Sequence, residues 1–282
     1  MNSVMTAMTN EMLAAAAPSI MADHADPGVS RQYKQVRTID VVDLMRGEGW
    51  MPVRARQLNV RKDERVGFCK HEIRFQREGD TSLSKMGDET IQAVLTNSHD
   101  RSSVFHFMLG VFRLACSNGL VVAQGMFNEI KVRHVGFDPA EIGDAARRMA
   151  EGGQLVAGHI GAMREAILNR DEQMALAKSA SVLLFDPAKL EDGSVDFHEE
   201  NLLTPRREAD KGDDLWRTFN RVQENVTRGG LRYHRVTPSD AFVGAAHAAR
   251  ARTHAIKSID RDIRLNQALW TLAEEMLKIK SA

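Results

Sequence analysis

The sequence predicts an α+β protein, with an antiparallel sheet and packed helices followed by a mainly helical C-terminal region. Two patterns carry this prediction. Between residues 50 and 136, short runs alternate apolar and polar side chains, which is typical of strands with one face in the core. Beyond residue 137, apolar residues recur every three or four positions, which is the period of a helix face. With 282 residues and 43% hydrophobic side chains, the chain can bury a large core.

Changes in composition divide the chain into five segments. The first segment contains no lysine or arginine, and the fourth carries ten acidic side chains against four basic ones. We therefore expect a loosely ordered tail at the N-terminus and a solvated surface linker in the acidic segment. The predicted order is an N-terminal tail (1–30), a basic α+β core (31–136), a helical segment (137–183), an acidic linker (184–214) and a C-terminal helical region (215–282).

Elements of the core follow from local periodicity. A short helix begins near Thr38 and is stopped by Gly47 and Gly49. Strands are predicted at Pro52–Val60, Gly67–Gln76, Glu89–Asn97 and Phe127–Val135. In the second of these, Lys70, Glu72, Arg74 and Gln76 alternate with apolar residues, which predicts one buried and one wet face. Residues 102–122 fit both a helix and a strand, and we favour a helix.

The second half of the chain is predicted to be mostly helical. Asp138 caps a helix that starts at Pro139 and continues to about Val182, with an interruption near Gly152. Two later helix faces are recognised by steps of three or four residues, and the first of them is ended by two glycines. These faces comprise Leu215, Phe219, Val222 and Val226, and then Leu265, Leu269, Leu272 and Met276 beside Trp270.

Charge and motif content exclude several classes of protein. The formal net charge is zero, with 38 basic and 38 acidic residues, so no global field attracts nucleic acid or lipid. Two cysteines make no disulfide framework, and no apolar run approaches the roughly 18 residues of a membrane span. Phosphate loops, dinucleotide fingerprints and metalloprotease motifs are missing. We expect a soluble cytoplasmic protein without a cofactor, a metal or a membrane partner, and uncertain or no enzymatic activity.

A few polar residues could in principle carry chemistry. Ser98-His99-Asp100 contains the residue types of a catalytic triad, but triad members normally come from distant segments, so a polar loop is the preferred interpretation. Cys116 has no basic partner that the sequence reveals, which favours a buried thiol. His247 and His254 share a helical face without a third ligand at metal spacing, which favours a solvated or capping role.

Positive charge is concentrated in two blocks of this neutral chain. Residues 31–78 hold twelve basic and seven acidic side chains, and residues 215–264 hold ten basic and four acidic ones. Within the predicted sheet, cations share strand faces, so they could form a row that follows a flexible phosphate backbone. An ordinary charged surface, neutralised by Glu72, Glu129 and the acidic linker, is the alternative, and composition alone favours it. The candidate DNA contacts are Arg54, Arg56, Lys70, Arg74, Arg101, Arg113, Lys131 and Arg133.

Seven stretches resemble a family of uncharacterised proteins carried by bacteriophages, prophages and plasmids. They span about residues 40–277, so the resemblance implies an origin in a mobile element. These stretches are Leu95–Asp100 (LTNSHD), Gly110–Val122 (GVFRLACSNGLVV), Lys131–His134 (KVRH), Leu203–Arg207 (LTPRR), Asp214–Asn225 (DLWRTFNRVQEN), Arg228–Leu231 (RGGL) and Asn266–Trp270 (NQALW).

The order of elements resembles the core of single-strand annealing proteins of the Redβ, RecT and Erf type. This order is a helix, the turn Gly49-Trp50, antiparallel strands and a further helix. This resemblance implies a basic groove for single-stranded DNA beside the sheet, and assembly into rings or filaments. We therefore expect a phage or plasmid protein that binds single-stranded DNA and promotes strand annealing or recombination without ATP. Its partners would be single-stranded DNA, further copies of the chain and phage or host recombination proteins.

Two other hypotheses remain open. The helices around Phe219 and Trp270, next to the acidic linker, could instead bind a protein partner, as in an assembly or host-interaction protein. A hydrolase or nuclease would require acidic residues from separate segments, such as Asp100 and Glu129, to meet around a metal ion.

Overall fold

A computed structural model describes residues 6–29, 33, 35–60, 63–79, 89–103, 105–113, 119–121, 130–132, 139–236 and 249–281. The chain divides into two compact units, Met1–Ala157 and Gly158–Ala282. The first unit contains an antiparallel sheet with helices, and the second is mainly helical. The predicted α+β class is therefore confirmed.

The first unit is built on a six-stranded antiparallel sheet. The strands follow the order β1-β2-β3-β4-β5, and β6 pairs with β4. Helices α1 (Asn10–Ala16), α2 (Thr38–Gly47) and the first part of α3 (Pro139–Glu165) belong to this unit. The strands are β1 (Trp50–Gln57), β2 (His71–Arg77), β3 (Glu89–Asn97), β4 (Phe105–Arg113), β5 (Gly119–Val121) and β6 (Ile130–Val132).

The core of this unit lies on one face of the sheet. Strand register places Ile73 opposite Leu95, which lies opposite Phe107, and all three side chains are buried. Phe75 packs edge to face on Phe107, with their ring centroids 6.5 Å apart. At the turn between α2 and β1, Trp50 is buried and its indole Nε1 donates a hydrogen bond to the carbonyl oxygen of Ala146 in α3, at 3.3 Å.

Two predictions for the sheet are wrong. Residues 105–113 form β4 rather than a helix, because His106–Arg113 pairs with β3 and the run supplies Phe105, Phe107 and Leu109 to the core. The second face of β2 is not wet, because Glu72 and Arg74 are as buried as the apolar residues between them. By contrast, β3 spans the predicted residues, and α2 begins and ends as predicted.

The described part of the N-terminal segment is packed, although the sequence predicts a loosely ordered tail there. Thr9 caps α1, and Leu13, Ala17 and Ile20 are completely buried. The backbone N–H of Met8 donates a hydrogen bond to the carbonyl oxygen of Pro52 in β1, at 2.7 Å. The segment therefore supplies apolar groups to the core of the first unit.

The second unit combines helices with a small antiparallel sheet. The rest of α3 belongs to it, and α3 is continuous through Gly152, where the sequence predicts an interruption. A three-stranded sheet has the order β7-β8-β9. The further elements are α4 (Arg170–Ser181), α5 (Pro187–Glu191), β7 (Val195–Asp196), α6 (Leu215–Arg228), β8 (Arg232–Arg235), β9 (Ala249–Arg252) and α7 (Ile259–Ser281).

Helix α6 occupies the centre of this unit. Asp214 caps its N-terminus by accepting a hydrogen bond from the backbone N–H of Arg217, at 2.9 Å. Trp216 and Phe219 stack with ring centroids 5.6 Å apart, and both rings contact Trp270 of α7 edge to face. The predicted apolar faces of α6 and α7 therefore meet in one aromatic core.

The acidic segment 184–214, which the sequence predicts as a linker, packs against this core. Leu202 and Leu203 are buried, and Asn225 of α6 donates hydrogen bonds to the carbonyl oxygens of Leu202 and Thr204. Arg207 binds the buried carboxylate of Glu224, with Nη2 and Oε1 3.1 Å apart. Apolar and polar contacts of this kind hold the segment in place despite its net negative charge.

In the part of the chain that the structure describes, no helix combines the length and the apolar character needed to cross a membrane.

Candidate nucleic-acid interface

Four of the predicted DNA contacts lie on or beside β1 and β2. Strand register places Arg54 opposite Arg74 and Arg56 opposite Glu72, so these side chains share one face of the sheet. Arg74 and Lys70 are 4% exposed, whereas Arg54 and Arg56 are half-buried. The expectation that Lys70 and Arg74 lie on a wet face is therefore wrong, because this face is closed to solvent at β2.

Glu72 binds two of these arginines. Its carboxylate lies 2.6 Å from Nη2 of Arg56 and 2.9 Å from Nε of Arg74. Burial by itself would raise the pKa of Glu72, but the two guanidinium groups outweigh it and the pKa is lowered. The same burial, together with the charges of Arg54 and Arg56, lowers the pKa of Arg74. This ion-pair network is thus part of the interior of the first unit.

The other four predicted contacts lie away from β1 and β2 along the chain. Arg101 is exposed in a loop, with a positive φ of 63°. Arg113 ends β4 opposite Glu89, and Lys131 lies in β6 opposite His106. Arg133 lies outside the described residues.

The Ser98-His99-Asp100 motif forms part of a buried polar junction rather than a catalytic triad. Ser98 and His99 are completely buried, and Asp100 binds Arg65, with Oδ2 and Nη2 2.7 Å apart. Tyr33 donates a hydrogen bond to the carbonyl oxygen of Ser98 at 3.0 Å. The backbone N–H of Asp26 donates a hydrogen bond to the carbonyl oxygen of His99 at 2.9 Å, so the motif joins the N-terminal segment to the sheet.

At the centre of this junction, the Thr38 hydroxyl has three nitrogen neighbours. Nδ2 of Asn97 donates to it at 3.0 Å, and Nε2 of His71 and Nε2 of His99 lie at 2.8 and 3.3 Å. The Nδ1 atom of His71 lies 3.1 Å from the carbonyl oxygen of Cys69, so this nitrogen carries the proton. Nε2 of His71 must then accept the Thr38 proton, and Nε2 of His99 must donate to Thr38.

This arrangement has no place for a second proton on His71. Burial and the neighbouring His99 together lower the pKa of His71 to about 3. Ser19 and Cys69 adjoin His71, and burial raises the pKa of the Cys69 thiol. Because both rings and the thiol are closed to solvent, the junction is suited to structure and not to substrate turnover.

Among the described residues, exposed positive charge is grouped on the β8-β9 pair of the second unit. Arg232 lies opposite Arg252, and His234 lies opposite Arg250. Residues opposite each other in an antiparallel pair, and every second residue along each strand, share one face. Arg232, His234, Arg250 and Arg252 therefore form one surface, which we call the cationic face.

The cationic face is open and lacks nearby counter-charges for its arginines. Arg232, Arg250 and Arg252 are exposed, and no carboxylate of the described residues lies within 4 Å of them. A groove of about 590 Å³ is bordered by residues of both faces of this strand pair, namely the four residues of the cationic face together with Tyr233 and Ala251, which alternate with them. Like charges directly opposite each other destabilise a sheet, so the Arg232 and Arg252 pair would be stabilised by an anionic ligand.

The opposite face of the same strands is anchored to the unit by aromatic residues. Tyr233 packs edge to face on Phe185 with centroids 4.9 Å apart, and Phe185 contacts the buried Phe197 at 5.0 Å. Arg235 lies on this side, where its Nη2 donates to the Tyr233 hydroxyl at 3.1 Å. These contacts direct the cationic face towards solvent and make its support rigid.

The base of the hairpin is fixed by Gly229. Its φ is 64°, and an added Cβ atom would lie only 2.5 Å from the carbonyl carbon of His254. Nη2 of Arg206 donates to the Gly229 carbonyl oxygen at 2.5 Å, and Nε of Arg206 donates to Asn225 at 2.6 Å. The LTPRR and RGGL stretches thus meet in space and position the start of β8.

Sequence patterns indicated the basic block 215–264 but not this site. A strand pair was not predicted there, because the four-residue strands are too short for a clear alternation and pair across thirteen intervening residues. The signal that could have found it is the alternation of basic residues, with Arg232 and His234 two positions apart and Arg250 and Arg252 again two positions apart.

Most of the remaining sequence candidates lie outside the part of the chain that the structure describes. His254 is exposed after β9, while Cys116, Glu129 and His247 lie outside the described residues. Among the described side chains, no group of three or more His, Cys, Asp and Glu could hold a metal ion. Phe219 and Trp270, which motivated the protein-partner hypothesis, are buried in the aromatic core.

Fold and site together define an α+β protein with an arginine-rich hairpin suited to anion binding. Residues 28–270 match the domain of unknown function DUF932, so the chain belongs to this family. It is similar to two proteins of Escherichia coli (strain K12), the UPF0380 protein YfjQ, with 33% identity over 270 residues, and the UPF0380 protein YafZ, with 33% identity over 277 residues. Each comparison covers 96% of this chain and 92% of the relative. No solved structure matches the chain.

Proposed function

We propose that this protein binds single-stranded DNA through the cationic face and promotes strand annealing or recombination for a phage or plasmid. The observation that carries the proposal is the placement of Arg232, Arg250 and Arg252 on one exposed face without a nearby carboxylate among the described residues. Guanidinium groups form bidentate hydrogen bonds with phosphate oxygens and also stack on bases. A strip of arginines therefore suits a phosphate chain whose bases remain accessible.

Annealing places few chemical demands on a protein. It requires neutralised phosphates and free base edges, and it needs neither a nucleophile nor a hydride carrier. One cationic face offers about three phosphate contacts, so several copies acting on one strand would bind much more tightly than one copy. Oligomeric assembly is therefore part of the proposal. The resemblance to phage and plasmid proteins supports DNA of a mobile element as the natural ligand.

The first experiment measures binding of the full chain to a fluorescent single-stranded oligonucleotide of mixed sequence by anisotropy. About three phosphate contacts per chain predict that log affinity falls with log salt at a slope near −2. Arg250→Gln with Arg252→Gln should weaken binding by about tenfold or more, since a hydrogen bond to a charged group contributes about 1.5–3 kcal/mol. The slope should also fall towards about −1.

A matched control removes two exposed arginines from the start of α7. Arg261→Gln with Arg264→Gln changes the net charge equally but leaves the cationic face intact. Equal losses in both double variants would contradict a specific site, and a flat salt dependence would contradict phosphate binding altogether.

A second experiment tests annealing itself. Complementary strands carrying a donor and an acceptor dye should pair faster with the protein present and without ATP. The β9 double variant should lose this acceleration in proportion to its loss of binding. Tight binding without faster pairing would restrict the function to protection of single strands and would contradict the annealing part of the proposal.

A further inference from the structure

Asp196 is the acidic boundary of the cationic face. Strand register places Asp196 of β7 opposite His234 of β8, which in turn lies opposite Arg250 of β9. These three side chains therefore form one row across the three-stranded sheet. Oδ2 of Asp196 lies 3.5 Å from Nδ1 of His234, and the Asp196 carboxylate remains 47% exposed. Along this row the surface changes from basic to acidic within three strands.

The dimensions of this row limit what the face can bind. Adjacent strands are about 4.8 Å apart, so β7 lies roughly 10 Å from β9. The major groove of a DNA duplex is about 12 Å wide, which separates the two phosphate chains that border it. If a duplex lies across the sheet with one phosphate chain over Arg250, its other phosphate chain lies close to Asp196. A single strand needs only the strip over β8 and β9.

We infer that Asp196 is a specificity-determining residue that selects single-stranded over double-stranded DNA by repelling the second phosphate chain. The inference rests on the proposed function, because it concerns the same face. Discrimination between ligands is often achieved by an unfavourable contact with the wrong partner rather than by a better contact with the right one. Asp196 suits this role because its strand is short and fixed beside β8, where Val236 donates its N–H to the carbonyl oxygen of Ser194 at 2.9 Å.

The acidic segment around β7 adds to the repulsion of a second phosphate chain. Glu191 and Asp192 precede the strand and are exposed, and residues 186–214 as a whole carry ten acidic side chains. Asp192 is held in a turn, where its Oδ1 accepts a hydrogen bond from the backbone N–H of Ser194 at 2.8 Å. Among the described residues of β7, β8 and β9, Asp196 is the acidic residue that register places on the same face as the arginines, so it is the residue that a second phosphate chain would meet.

The test compares the affinities of the full chain for one oligonucleotide in its single-stranded and duplex forms. Two like charges about 4 Å apart in water repel each other enough to change an affinity about fivefold. Asp196→Asn should therefore raise duplex affinity about fivefold and change single-strand affinity by less than about twofold. Asp196→Lys should raise duplex affinity further. Glu191→Gln removes the same charge from the same segment and should leave the ratio of affinities unchanged.

Each outcome decides between distinct conclusions. An equal increase for both forms of DNA, or an equal effect of Glu191→Gln, would show a general charge effect and overturn the role of Asp196. Unchanged duplex affinity in both Asp196 variants would overturn it as well. Wild-type protein that binds neither form at low salt would instead overturn the proposed function. Circular dichroism of each variant excludes unfolding as the cause of a changed affinity.

Discussion

Acidification should weaken the first unit through protonation of His71 in the unfolded chain, at pH values where carboxylates are still ionised. His71 is completely buried and its pKa is lowered from 6.5 to about 3. As pH falls below 6.5, the unfolded chain takes up a proton on this ring and the folded chain does not. Stability is therefore complete above pH 6.5 and is lost progressively towards pH 3.

The magnitude follows from the two pKa values. Between about pH 7.5 and pH 5, the free energy of unfolding should fall by about 2 kcal/mol from this group. The loss occurs because the Thr38 hydroxyl already accepts from Asn97 and His99, so it cannot also accept a proton from His71. Acidification therefore breaks the junction between the N-terminal segment and the sheet.

Urea unfolding of wild-type protein and of His71→Asn, followed by circular dichroism across this pH range, measures the effect. The variant should be less stable than the wild type at neutral pH. Between about pH 7.5 and pH 5, however, its free energy of unfolding should fall by about 2 kcal/mol less than that of the wild type. His24→Asn is the matched control, because this ring is exposed and its removal should leave the pH dependence unchanged. Equal pH dependence in the wild type and in His71→Asn would refute the proton arrangement.

Three further predictions concern stability and use the same unfolding measurement. Gly229→Ala should lower the free energy of unfolding by more than about 3 kcal/mol, because the added Cβ atom clashes with His254 and the residue also has a strained positive φ. Gly230→Ala is the control, because its positive φ is also strained but there is open space around it, and it should cost about 1–3 kcal/mol. Equal losses of stability would contradict the close approach at Gly229. Glu72→Gln should lower the free energy of unfolding by about 3–5 kcal/mol, because it leaves the buried Arg74 without this carboxylate. A loss no larger than that caused by removing an exposed carboxylate would contradict the stabilising role of the network. Asp214→Ala removes the cap of α6 and should cost about 1 kcal/mol or more, so an unchanged stability would exclude that role.

Much of the secondary structure could be predicted because it depends on neighbours along the chain. Strand β3 alternates over nine residues, α2 is stopped by glycine, and the faces of α6 and α7 repeat at helical spacing. Residues 105–113 satisfied both periods, and only pairing with β3 decided that they form a strand. Pairing between distant segments has no local signal, which is also why the short strands β8 and β9 were not predicted.

The charge pattern by itself determined where cations are concentrated along this chain, namely in residues 31–78 and 215–264. Tertiary structure decided which of these cations remain available to a ligand. In the first block, Arg56 and Arg74 are bound by the buried Glu72, whereas in the second block Arg250 and Arg252 stay exposed above an aromatic support. The reason is physical: charge is a property of each residue, but solvent exposure and ion pairing depend on which distant segments the fold places beside it.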